Sequence, residues 1–413
     1  MQWAFEDTTL YRNMLACPDT YPHPDGKHLI GRWQISAIWE YYRRAGLAKN
    51  IALESAQGPY IWATGTQMGP DLWAGLPENG YRYQSLFDLI PDKVIDDAKK
   101  NLALIIIDSC NEGFTVPTLH EFWQSECARL GIPCRQLVYV TSNLSEEICY
   151  TAWADSNHVR DRITVISMAH WHYQYRIIAE SSKQLSWSDH ELRKMGNDRR
   201  IPVFSCLNNQ WRRHREYMVL KLIQVGLHGK GAISHGPRFL DEWINYGIES
   251  DTIDIADQLL PMVVDQKHAL KKQLANEFNP DIYINSWISL ITETMAEDEQ
   301  DCCFISEKIF KPVQGMQPFM VLGHRGTLQH LRNWGYETFE NHLPESYDDL
   351  PYIQRVDALI RNLLWLNAQR DKWSWLESCR EKCMHNHGIL MSQDFFADPA
   401  HARIIDLYTV MEK

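Results

Sequence analysis

The sequence predicts an α/β fold of two doubly wound halves followed by a helical tail. Its 413 residues exceed what one ordinary core organises, so two units of roughly 150–220 residues are expected. Short apolar segments alternate with polar, helix-forming ones in both halves. That is the pattern of strands joined by crossover helices into a parallel sheet. From about Ile353 onward the spacing of apolar residues stays helical, and no strand interrupts it. The expected divisions are 1–195, 196–375 and a tail over 376–413.

In the first half, "NLALIIIDSCNEGF" (101–114) reads as a buried strand running into a loop. "TVPTLHEFWQSECARLGIPC" (115–134) reads as the helix after it. "QLVYVTSN" (136–143) is the next strand, "SEEICYTAWADS" (145–156) a capped helix, and "RITVISMAHWH" (162–172) a further strand. The polar stretch 181–200 is read as the crossing into the second half. There "IPVFSCLNN" (201–209) opens as a strand. "WRRHREYMVLKLIQVGL" (211–227) follows as an amphipathic helix with Tyr217, Leu220 and Val225 among its apolar positions. "PDIYINSWISLITET" (280–294) contains another strand, and "GTLQHLRNWGYETF" (326–339) a helix with a strand-like end.

Composition narrows the class. The chain is 45% hydrophobic and 23% charged, with no low-complexity tract. A net charge of -12 argues against binding nucleic acid through bulk electrostatics, though a local basic groove on an acidic body stays open. "MQWAFEDTTLYRNML" has no basic segment leading into an apolar one, so no signal peptide is expected. Apolar runs such as "LALIIID" are far short of a membrane span. Ten scattered cysteines fit reduced thiols in a cytoplasm.

Three segments carry candidate chemistry. In "SEKIFKPVQGMQPFMVLG" (306–323), Ser306 is placed to cap a helix that starts at Glu307. Lys308 and Lys311 then share one helix face. Two ammonium groups beside a helix N-terminus neutralise a diphosphate, and Glu307 suits ribose hydroxyls. An ordinary capped surface helix is the competing reading. In "NNQWRRHRE" (208–216), Arg212, Arg213 and Arg215 stand where a strand-to-helix turn places phosphate ligands. No glycine-rich loop accompanies them. Cations at a helix N-terminus oppose its dipole by about 0.3–1 kcal/mol, which favours an anionic ligand over a merely solvated helix start. In "IIIDSCNEGF", Asp108 and Glu112 end an apolar strand and are candidate general bases; loop solvation and helix capping compete with that role.

Other chemistries lose support. Cys379, Cys383, His385 and His387, and the pair His170 and His172, do not follow standard zinc spacings, so no metal site is expected. The P-loop, nucleophile-elbow and H-E-x-x-H patterns are missing. No Asp-x-Asp triplet occurs.

"ISLITET" (288–294) and "FISEKIFKPVQGMQPFMVLGHRGTLQHLRNWGYETF" (304–339) resemble the donor-binding region of GT-B glycosyltransferases. The likeness is to α1,3-fucosyltransferase-like proteins and their bacteriophage-type relatives. "CLNNQWRRHREYMVLKLIQVGLHGKGAIS" (206–234) is similar to those phage-type relatives. The resemblance covers about 100 residues of the second half. It implies two Rossmann-like domains facing a central cleft, an acceptor-side one and a donor-side one. It implies an enzyme that moves a sugar from a nucleotide-diphosphate sugar to an acceptor hydroxyl, by inversion and without a metal. The donor is a co-substrate, and no cofactor is implied. The acceptor is a glycan or a hydroxylated DNA base, and the location cytoplasmic, in a host if the protein is viral. By position Arg215 and Lys308 would contact the donor diphosphate, with Arg212, Ser306 and Lys311 beside them. Glu307 would bind ribose or sugar. Glu293 falls where the family has an acidic residue, but Thr294 replaces the following Asn, and Phe304 stands where a Tyr is usual. A nucleotide-sugar-fold protein that binds without turnover is the alternative.

Overall fold

The computed structural model describes residues 1–5, 20–22, 29–31, 36–65, 86–111, 113, 118–196, 200–208, 210–240, 242–264, 278–298 and 302–412. They form two compact units: unit 1, residues 1–170 with 394–413, and unit 2, residues 171–393.

Unit 1 is built on a parallel sheet of six strands: β1 (Gln2–Phe5), β4 (Lys49–Ala52), β5 (Tyr60–Gly65), β6 (Ala103–Ser109), β7 (Leu137–Thr141) and β8 (Thr164–Ser167). Their spatial order is β4-β1-β5-β6-β7-β8. β2 (Thr20–Pro22) and β3 (Leu29–Gly31) form a separate antiparallel pair. Every residue of β6 and β7 is buried. Both faces are therefore apolar, and the two strands read as continuous runs rather than alternations. α1 (Ala37–Arg44) sets Trp39 against Phe5, with ring centroids 5.2 Å apart. α2 (Asp92–Lys99), α3 (Leu119–Leu130) and α4 (Glu146–Ser156) contribute to the core that takes in Ile105 and Ile107. There Trp123 packs on Tyr139 at 4.6 Å.

Unit 2 opens with α5 (His170–Ser181), which begins at the boundary, and α6 (Trp187–Lys194). β9 (Phe204–Leu207), α7 (Arg213–Gln224), β10 (Gly231–Ser234), α8 (Ser250–Leu259), α9 (Pro280–Ile284), β11 (Ile288–Thr292), α10 (Glu307–Gln314) and β12 (Phe319–Leu322) follow. The four strands are parallel, in the order β10-β9-β11-β12. The chain goes from β9 to β10 on one side, then crosses to place β11 on the other. α11 (Thr327–Asn333), α12 (Tyr352–Ala368), α13 (Lys372–Ser378) and α14 (Arg380–Ser392) complete the unit. Both units are thus Rossmann-like α/β layers, and among the described residues no helix is long and apolar enough to cross a membrane.

A side chain at Gly231 would overlap the Phe204 ring on the neighbouring strand. Gly231→Ala is expected to destabilise unit 2 by about 1–3 kcal/mol through overpacking. Gly229→Ala, at a position open for 4 Å around, is the control. Denaturant midpoints of the two variants check this.

Four expectations need correction. The strand expected over 162–172 ends at Ser167, and His170 and His172 lie on α5. There His172 stacks among Phe310, Trp334 and Tyr336. The stretch 181–200 is not the crossing between units, because its α6 carries a Ser186–Asp189 capping box and lies within unit 2. Residues 334–339 form no strand; Glu337 is held through its backbone by Asn386 at 2.7 and 2.8 Å. The expected tail is not one body either. α14 stays in unit 2, whereas residues 394–413, with α15 (Pro399–Met411), belong to unit 1. Phe395 stacks on Tyr41 at 4.2 Å, His401 meets the Tyr42 hydroxyl at 2.7 Å, and Arg403 pairs with Glu147 at 2.7 Å.

Candidate functional site

In doubly wound sheets, ligands bind outside the carboxyl ends of the strands where the strand order reverses. In unit 2 that point lies between β9 and β11. Asn208, just past β9, accepts a hydrogen bond from the Thr292 hydroxyl at the end of β11, which locks the two strand ends together. The residue after β11 is Glu293, fully buried.

α7 starts beside this point. Its N-cap residue, Arg212, gives no side-chain cap, so first-turn N–H groups are left for another acceptor. Two side chains of that turn reach the Glu293 carbonyl: His214 Nε2 at 2.8 Å and Arg215 Nη2 at 3.0 Å. Arg215 Nη1 donates to the Gln210 carbonyl at 3.0 Å, and among the described residues its buried Nε has no hydrogen-bond partner. Arg215 is 4% exposed, and among the described residues no carboxylate pairs with its guanidinium. Burial, with Arg212 adding repulsion, pulls its pKa down to about 10. A buried cation that meets only carbonyls is expensive and well suited to an anionic ligand.

α10 starts on the other side of Glu293. The Glu293 carboxylate accepts from Ser306 Oγ at 2.6 Å, Ser306 N at 3.2 Å and Thr294 N at 3.2 Å. Burial raises its pKa, partly offset by Lys308 and Ser306. Ser306 caps α10 as its sequence position predicts, accepting from Lys308 N. Lys308 Nζ lies 2.9 Å from Ser306 Oγ, 3.1 Å from Thr294 Oγ1 and 3.4 Å from Glu307 Oε1. Burial pushes the Glu307 carboxyl up, but Lys308 and Lys311 outweigh it and hold the group below its ordinary value.

Arg215 and Lys308 therefore converge on Glu293 from two helices, with Ser306, Glu307 and Lys311 in the same cluster. Arg212 stays exposed at the α7 N-terminus. Arg213 does not join them. It pairs with Glu242 at 3.1 Å and stacks on Tyr246 at 4.8 Å, because its position on the helix turns it away from β11. Asp108 is a cap rather than an open base: it accepts from Ser36 Oγ at 2.7 Å and Ile38 N at 2.9 Å, at the start of α1, and from Cys110 N at 3.0 Å. Glu112 lies outside the described residues. Cys379, in the turn between α13 and α14, and Cys383, on α14, are both buried.

Two contributors escaped the sequence reading. His214 sits inside the arginine cluster, whose charge drew attention from it. Glu216, fully buried, accepts from Trp211 Nε1 at 2.7 Å, Trp243 Nε1 at 2.5 Å, Phe239 N at 2.8 Å and Leu240 N at 3.1 Å. It ties the loop after β9 to the loop after β10. Little local marks it, since three of its four partners lie 23 to 27 residues away. Glu216→Ala is expected to destabilise unit 2 by roughly 2–4 kcal/mol, because it strands the buried Trp243 Nε1, at about 1–3 kcal/mol, and three part-buried donors that water partly satisfies. Chemical denaturation measures this.

No family model matches the chain, and no curated protein matches it. Solved structures similar to it include an α,α-trehalose 6-phosphate synthase from Burkholderia multivorans, with 11% identity over 92% of this chain and 93% of that one, at a TM-score of 0.41. A UDP-forming α,α-trehalose-phosphate synthase from Burkholderia xenovorans shares 8% identity over 75% and 69% of the two chains, at 0.38. The catalytic domain of starch synthase IV from Arabidopsis thaliana, bound to ADP and acarbose, shares 13% over 76% and 69%, at 0.34.

Proposed function

We propose that the protein is a nucleotide-sugar-dependent glycosyltransferase of GT-B architecture, with its donor site at the carboxyl edge of the unit 2 sheet. One observation carries this reading: Arg215, buried with no carboxylate hydrogen-bonded to it among the described residues, and Lys308 converge on one strand end at the switch point. Two cations beside two helix N-termini suit a pyrophosphate. As the sugar leaves, negative charge builds on that pyrophosphate, and fixed cations stabilise it there. With no Asp-x-Asp triplet in the chain, the side-chain cations take the part that a metal plays elsewhere. Glu307, kept charged by its lysines, is assigned to ribose or sugar hydroxyls.

The motif resemblance extends the proposal. It favours kinship with α1,3-fucosyltransferase-like proteins and their bacteriophage-type relatives, inversion by single displacement, and an acceptor hydroxyl on a glycan or a hydroxylated DNA base. Acceptor chemistry is assigned to unit 1.

A thermal-unfolding screen against UDP-, GDP-, ADP- and CMP-sugars in EDTA tests the reading. One donor is expected to stabilise the protein by about 2.7 kcal/mol at a hundredfold excess over its Kd. Incubation of that donor with oligosaccharides and hydroxymethylated DNA then separates transfer from binding alone. Stabilisation by none of the donors rejects the assignment.

A further inference from the structure

Glu216 follows Arg215 directly on α7 and organises what flanks the buried cation. Its carboxylate accepts from Trp211 Nε1 at 2.7 Å, in the loop after β9. It also accepts from Phe239 N at 2.8 Å and Leu240 N at 3.1 Å, in the loop after β10. Two loops at the carboxyl edge of the unit 2 sheet are thereby pinned to one group, and each brings an aromatic ring. Trp211 and Phe239 meet with centroids 5.5 Å apart and ring planes at 64°.

These rings are not core. Phe239 is 59% exposed and Trp211 is half-buried. A single exposed ring needs no explanation. This pair differs, because the backbone of one and the indole of the other are fixed on a fully buried acceptor. Ordering two loops costs conformational entropy, and rings ordered in advance bind a ligand more tightly because that cost is already met. At 64° they form an open corner rather than a closed stack. A flat ligand can lie on the face of one ring and meet the edge of the other.

The position of the corner names the ligand. The Trp211 carbonyl accepts from Arg212 Nη1 at 3.1 Å, and the carbonyl before it, Gln210, accepts from Arg215 Nη1 at 3.0 Å. The corner thus begins one residue from the group that holds the buried cation. A nucleotide sugar carries a nucleoside on one side of its pyrophosphate and a sugar on the other. Its base alone has π faces. On the α10 side of Glu293, the Glu307 carboxylate accepts hydrogen bonds from hydroxyls and offers no face to stack on.

We propose that Trp211 and Phe239 form the platform on which the nucleobase of the donor stacks, which leaves the sugar hydroxyls to Glu307. This rests on the donor-site reading of unit 2. Stacking on aromatic rings tolerates any base, since every base has a π face. The platform therefore separates nucleotides from bare pyrophosphate strongly, and one base from another weakly.

Calorimetric titration in EDTA with pyrophosphate, UDP, GDP, ADP and CDP tests this. The wild type is expected to bind a nucleoside diphosphate about 5- to 150-fold more tightly than pyrophosphate. Phe239→Ala is expected to lose about that factor for the nucleotide and to keep pyrophosphate affinity within about twofold. The loop is pinned through its backbone, so this substitution leaves Glu216 with its partners. Phe239→Trp is expected to keep nucleotide affinity, whereas Phe239→Leu, apolar but without a π face, follows the alanine variant. If Phe239→Ala weakens both kinds of ligand alike, or neither, the platform is overturned and the pyrophosphate site stands. The same holds if the wild type binds pyrophosphate as tightly as every nucleotide. A wild type that binds none of the five removes the donor-site reading and the platform together.

Discussion

Unit 2 is expected to unfold as the pH falls from about 6.5 to about 4.5. His172, His190, His214 and His324 are all buried there. Burial lowers their pKa values to about 3, 3, 3 and 4, from an ordinary value near 6.5. The native state keeps these rings neutral, while the unfolded chain protonates them below about pH 6.5. Their contribution is therefore whole above that pH and is lost as the pH drops toward the native values. Each ring withdraws about 1.4 kcal/mol per pH unit in that window. Four together withdraw on the order of 5 kcal/mol per unit, against a total stability of about 5–15 kcal/mol. The buried carboxyls of Glu293, Glu345 and Asp348 are raised and act in the opposite sense, which makes the net slope shallower than the imidazoles alone give. Tryptophan fluorescence across a pH series reads the transition.

His172 offers a sharper version of the same test. Among the described residues neither of its ring nitrogens has a hydrogen-bond partner, and it lies 5.5 Å from Phe310 and 5.1 Å from Trp334. His172→Phe keeps the stacking and removes two unsatisfied polar atoms. It is expected to stabilise unit 2 by about 1–3 kcal/mol at neutral pH and to make the acid slope shallower by about a quarter. An unchanged slope would falsify the assignment of acid sensitivity to these rings.

Arg215→Ala is expected to weaken donor binding by about 10–150-fold. A charge-assisted hydrogen bond contributes about 1.5–3 kcal/mol, and 1.4 kcal/mol is tenfold in affinity. Lys308→Glu is expected to lower it further, since it replaces attraction with repulsion at the same phosphate. Arg213→Ala is the control: its guanidinium faces Glu242 and Tyr246, so donor affinity is expected to stay within about twofold. Calorimetric titration of the three variants decides the matter. Equal losses at Arg213 and Arg215 point to a diffuse charge effect and against a formed site.

Much of this was legible in the residues. Alternating strands and helices, the Ser306 cap and the helix at Arg213 are local features, written in periodicity and in the few residues around a helix end. The end of β6 was also legible, but the role of Asp108 there was not. It holds Ser36 and Ile38, 72 and 70 residues earlier in the chain, and no local pattern distinguishes such a cap from a base.

Local chemistry along the chain settled which segments become strands and helices, and which helix starts carry cations. Only the tertiary structure decided which cations meet. Arg212, Arg213 and Arg215 look alike in sequence, yet Arg215 alone reaches the Glu293 carbonyl, 78 residues onward. That choice follows from sheet order, because the crossing that puts β11 beside β9 selects which helix face looks onto its end. The same holds for residues 394–413 returning to unit 1. Helical periodicity reports a face that must be buried and carries no information about what will cover it.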